Sequence, residues 1–83
     1  MKRFPALSSE RVIAALLKAG FTYAPRRSRG GHVAVYYADE EGRRVLVVVP
    51  RSYELPRGML RSILMQANLT KEDFLRHLEE TGS

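Results

Sequence analysis

The amino-acid sequence predicts an α+β fold, a three-stranded antiparallel sheet with helices on one face in the order α-β-β-β-α-α. Three patterns lead there. Apolar residues recur at helical spacing over residues 9–19, 56–67 and 71–79. One short segment alternates in period two, and an apolar run follows it across a turn of acids and glycine. At 83 residues the chain has room for one domain, expected over residues 1–83, and a chain of this size buries roughly 60–65% of its surface. That suffices for one sheet and a few helices, but a deep substrate cavity is not expected.

Each element has a local cause. Ser8-Ser9-Glu10 supplies a hydroxyl cap and an acid in the first turn of a helix over 9–19, with Val12, Ile13, Leu16 and Leu17 as its apolar stripe and Gly20 as its terminator. Residues 21–24 read as a short strand. Pro25 closes it, as suits an edge. The stretch Arg26-Arg27-Ser28-Arg29-Gly30-Gly31 is expected to be a basic, flexible loop. In the strand 32–37, Val33, Val35 and Tyr37 take one face and His32, Ala34 and Tyr36 the other. Asp39-Glu40-Glu41-Gly42 turns the chain into a third strand, 44–49, as an antiparallel hairpin. This strand is apolar on both faces and is therefore expected at the centre of the sheet. Pro56 fits the first turn of a helix over 56–67, striped by Leu60, Ile63, Leu64 and Ala67, with Asn68 as a left-handed cap. Thr70-x-x-Asp73 resembles a capping box and opens a last helix, 71–79, with Phe74, Leu75 and Leu78 inward.

Composition narrows the chemistry. The absence of cysteine removes disulfides, thiolate metal sites and cysteine nucleophiles. No apolar run is long enough to span a bilayer, the N-terminal residues Met1–Pro5 lack the apolar stretch of a signal, and a cytoplasmic protein is expected. The net charge of +5 is unevenly spread. Residues 26–61 hold eight arginines against four acids, whereas the chain from Asn68 onward carries a net −2. Eleven of the fourteen cations are arginine, whose planar fork suits phosphate, so a polyanion such as RNA is the expected partner.

Two histidines and nine acids show no metal-ligand spacing, so neither a metal site nor a cofactor is expected. Gly30-Gly31 precedes a strand and lacks the helix N-terminus that a phosphate-binding nucleotide loop uses. His32 directly follows this glycine pair. An imidazole there can take a proton from a ribose 2′-hydroxyl or return one to the leaving oxygen, and RNA supplies its own nucleophile. His77, in an acidic helix, complements the helix dipole instead. Tyr36, on the face of His32, either stacks on a base or forms an ordinary cross-strand pair.

The segment Leu55-Pro56-Arg57-Gly58-Met59-Leu60-Arg61-Ser62-Ile63-Leu64-Met65-Gln66-Ala67 resembles the HicA-type (YcfA-like) toxin family, whose pattern Leu-Pro-x-Gly-x-Leu-Arg-x-Ile-Leu-x-Gln-Ala it reproduces. Arg29-Gly30-Gly31-His32 is similar to the basic residue and Gly-Ser-His that begin the family's second strand, and the likeness extends over about residues 7–78. The resemblance implies a fold like the double-stranded-RNA-binding domain and a toxin of a type II toxin–antitoxin pair. It further implies endoribonuclease action on mRNA with a catalytic strand histidine, and silencing by a HicB-type antitoxin protein; with no metal-ligand spacing in the chain, the expected action is metal-independent, on a single histidine. Carried over, His32 is the catalytic position. The expected RNA-binding set is Arg26, Arg27, Arg29, Gly30, Gly31, Tyr36 and Arg51. Gly31 stands where the family has serine, and this departure supports the alternative of a non-catalytic RNA-binding module on the same fold.

Overall fold

The computed structural model describes residues 6–81. The expected domain's ends, residues 1–5 and 82–83, lie outside the described residues. Three helices, α1 (Ser9–Lys18), α2 (Arg57–Ala67) and α3 (Lys71–Glu80), accompany three strands, β1 (Thr22–Tyr23), β2 (His32–Ala38) and β3 (Arg44–Pro50). The order α-β-β-β-α-α is consistent with the double-stranded-RNA-binding-domain-like fold.

The local signals act as the chain chemistry dictates. The Ser8 hydroxyl accepts the Arg11 N–H at the start of α1, and Gly20 takes φ +104 past its end. Pro56 is the N-cap of α2, not a first-turn residue: its ψ of 149 is extended, and only its carbonyl joins the helix, accepting the Leu60 N–H. Asn68 ends α2 in the left-handed region at φ 57, ψ 40. Thr70 accepts the Asp73 N–H at 3.1 Å, giving half a capping box, while the Asp73 carboxylate pairs with Arg76.

The sheet order is β1-β2-β3, both pairs antiparallel. This corrects one expectation: β2 is central and β3 is an edge. A strand that is apolar on both faces has neighbours above and below it, whereas a central strand has neighbours on both sides in the plane of the sheet. On the open face of β3, Leu46 and Val48 are only half-buried. Register places Val33 opposite Val49, Val35 opposite Val47 and Tyr37 opposite Val45, on the helix side. There Val35, Val47 and Val49 join Leu16, Leu60, Ile63 and Phe74 in one core. Each such side chain contributes roughly 1.5–3 kcal/mol on burial. The other face carries His32, Ala34 and Tyr36 of β2 and Leu46 and Val48 of β3.

Candidate active site

The segment between β1 and β2 is ordered into two turns and is not the loose loop expected. Pro25–Arg27 form a short 3-10 helix. Arg29 and His32 then exchange backbone hydrogen bonds, at 2.8 Å from the His32 N–H and 3.1 Å from the Arg29 N–H. This closes a two-residue turn on Gly30-Gly31, and Gly30 adopts φ +52, which a side chain would resist. Between the two turns, the Ser28 hydroxyl accepts the Ala34 N–H at 2.8 Å and donates to the Ala24 carbonyl at 2.9 Å. Ser28 thus stands in for a backbone partner where β1 has run out. Sequence reasoning did not select it; the signal was a lone hydroxyl in a run of arginines beside a strand.

His32 begins β2, is exposed and lies opposite Pro50. That register carries Arg51 to the glycine turn. The Arg51 N–H donates to the Gly31 carbonyl at 2.7 Å, and its Nε donates to the Gly30 carbonyl at 3.1 Å. One edge of the guanidinium is thereby fixed, and the terminal nitrogens have no acidic partner among the described residues. The loop bearing Arg51 is anchored in turn. Buried Ser9 exchanges hydrogen bonds with the Ser52 backbone, and the Leu55 N–H donates to the Leu7 carbonyl at 2.7 Å. Arg29, Gly30, Gly31, His32 and Arg51 therefore form one cluster. No described carboxylate holds the His32 ring, in contrast to His77, whose Nδ1 lies 2.9 Å from Glu80 Oε1.

Arg26, Arg27 and Tyr36 belong to a second group farther along the same face. With Tyr23, Arg44 and Leu46 they line an open groove of ≈ 520 Å³. The Arg44 guanidinium carbon lies 5.0 Å from the centre of the Tyr36 ring, so this tyrosine engages a cation as well as its cross-strand neighbour Leu46. Arg44 was not among the expected residues, although alternation from Leu46 places it on the open face. Neighbouring Arg43 is instead tied to Asp39 and Glu41 in the hairpin turn. Among the described residues no three His, Asp or Glu side chains are grouped to hold a metal ion, and no helix is long and apolar enough to cross a membrane.

A family model described as "HicA toxin of bacterial toxin-antitoxin" matches residues 9–69. The chain belongs to the HicA toxin family. Membership makes it a toxin of a toxin–antitoxin system and implies an antitoxin partner. The matched span runs from the start of α1 past the end of α2, so it contains the His32 cluster and the groove, and α3 lies beyond it. No curated protein matches the chain.

Proposed function

We propose that this HicA-family chain is an endoribonuclease toxin that cleaves mRNA in the cytoplasm with His32 as its catalytic residue and without a metal. The observation that carries the reading is the placement of exposed His32 beside a cationic glycine turn, within a chain of this family. His32 takes the proton from a ribose 2′-hydroxyl. The oxygen attacks the adjacent phosphorus, the bond to the 5′-oxygen breaks, and the protonated His32 ring gives its proton to that oxygen as it leaves. Arg51, already oriented by Gly30, offers its remaining nitrogens to the charge that builds on the phosphate. Gly30 and Gly31 carry no side chain to bar the strand, and Arg29 holds a phosphate beside the cut. Arg26, Arg27 and Tyr36 hold RNA farther along. A HicB-type antitoxin silences the toxin.

The test is purified protein on mRNA with EDTA present, wild type beside His32→Ala. Wild type shortens the RNA and the variant does not. Equal cutting by both would remove His32 from the chemistry. A second reading, a non-catalytic RNA-binding module, is favoured by Gly31, which removes the hydroxyl next to the histidine. It predicts salt-sensitive RNA binding by wild type with no cleavage and no growth arrest on expression alone.

A further inference from the structure

The groove at the far end of the open sheet face has a composition that the catalytic cluster does not explain. Its lining is mostly apolar at Ala24, Pro25 and Leu46 and aromatic at Tyr23 and Tyr36. Arg26, Arg27 and Arg44 bring three cations to it, and no acid lines it. Those arginines have no acidic partner among the described residues. Arg43 and Arg76 are paired with carboxylates, but Arg11, Arg57 and Arg61 have no such partner among the described residues, so it is the grouping of three cations on one lining that marks the groove. Arg44 rests over the Tyr36 ring at 5.0 Å. The pair presents a planar cation and an aromatic ring together, the two kinds of surface on which an unpaired nucleobase stacks.

The groove is also placed to serve the same strand as His32. His32 and Tyr36 share a face, four residues apart along β2. At about 3.3 Å per residue that is roughly 13 Å. Ala34, between them, is fully buried, and the Ala24–Ser28 segment is hydrogen-bonded beside it. The residues that cover Ala34, and not bare strand, therefore separate the two sites, and an RNA strand reaching both runs over them.

We propose that the groove is a distal nucleotide subsite of the substrate RNA, in which a base stacks against Arg44 and Tyr36 while Arg26 and Arg27 take its phosphates. This rests on the reading of the chain as an RNA-cutting toxin. Single-stranded RNA is the occupant the lining selects: three cations without an acid suit a polyanion, and the apolar floor with a π face suits a base. The subsite contributes to binding and not to the bond-breaking step, since it lies outside the reach of the scissile phosphate.

The test is the full chain against a mixed-sequence pool of 2′-O-methyl RNA dodecamers, which bind without being cut. Arg44→Ala lowers affinity about ten-fold with the salt dependence little changed, whereas Arg26→Ala flattens the logarithmic salt dependence by roughly 0.7, one phosphate contact's worth on a single strand. On cleavable RNA Arg44→Ala raises KM by a similar factor and leaves kcat unchanged. Arg44 is exposed, so its melting temperature stays at the wild-type value; Arg44→Gln, which keeps the stem over Tyr36, replaces it otherwise. Unchanged dodecamer affinity would overturn the proposal, as would a fall in kcat at constant KM. Retained RNA affinity with loss of antitoxin co-purification would assign the groove to the protein partner instead. If wild type binds the pool but cuts no RNA, the cleavage reading fails, and the binding comparison still decides the subsite.

Discussion

Arg51 donates its Nε to the carbonyl of Gly30, twenty-one positions earlier in the chain, and so lies against the turn that leads into His32. The contact joins the end of one strand to the start of its neighbour. It lets a flexible side chain behave as a fixed part of the site, because the ordering cost of the arginine is met in folding and not on contact with RNA.

His32→Ala removes RNA cleavage by at least about a hundred-fold, the scale of a lost general acid–base group. Its melting temperature stays within roughly 4 °C of wild type, because the ring is exposed and surface changes of this kind are nearly neutral. Cleavage assays and thermal melts on the same preparation check both halves.

Arg51→Ala slows cleavage roughly ten- to hundred-fold, and Arg51→Lys recovers only part of it. Lysine supplies charge but cannot donate to Gly30 and a phosphate along two edges of one plane. Single-turnover rates at saturating RNA separate this from weakened binding.

Gly30 and Gly31 respond oppositely to a side chain. Gly31→Ser places its Cβ where nothing lies within 4 Å and φ is not positive, so stability is kept. The new hydroxyl raises cleavage by about two- to ten-fold, the range of one added hydrogen bond. Gly30→Ala, at φ +52, destabilises by about 1 kcal/mol despite the same open space. Denaturant melts and cleavage rates of the two variants give the contrast.

Ser28→Ala costs about 1–3 kcal/mol, because it strips the Ala34 N–H of its acceptor in a fully buried residue. For a domain of this size each kcal/mol lowers the melting temperature by roughly 4–8 °C. Ser28→Thr, retaining the hydroxyl, melts nearer to wild type.

Phe74→Ala costs about 3–5 kcal/mol, the usual penalty for emptying an aromatic site in a sealed core. Urea titration reads the loss. An unchanged midpoint would mean that α3 is not part of the cooperative unit.

The helices and the hairpin were legible because periodicity records which side of an element is covered: Leu60, Ile63 and Leu64 on α2, and Val35 and Val47 across the strand pair, are buried as their spacing requires. The place of β3 was not legible, because its side chains report what covers the sheet while sheet order depends on backbone pairing. Arg51 was within reach of sequence reasoning, since the pairing of His32 with Pro50 brings the next residue to the glycine turn. Alternation from Leu46 also places Arg44 on the open face, but the contacts that Arg44 and Ser28 make were not legible. One works by lying over a ring on the neighbouring strand, the other by bonding a backbone group six residues ahead, and neither contact leaves a spacing pattern.

Helix α3 gives the molecule an electrical polarity. The chain from Asn68 onward has a net charge of −2, and Phe74 and Leu78 fasten its helix into the core on the side of the sheet away from His32 and the groove. The arginines of the open face thus stand opposite a helix that carries negative charge. A polyanion meeting α3 is repelled and one meeting the open face finds its arginines, so encounters on that face are favoured over encounters at α3 before any contact forms. Reversing the charges of Glu72 and Glu79 would raise the net charge from +5 to about +9 and make α3 attract RNA as well, so at low salt a smaller share of encounters would form on the open face.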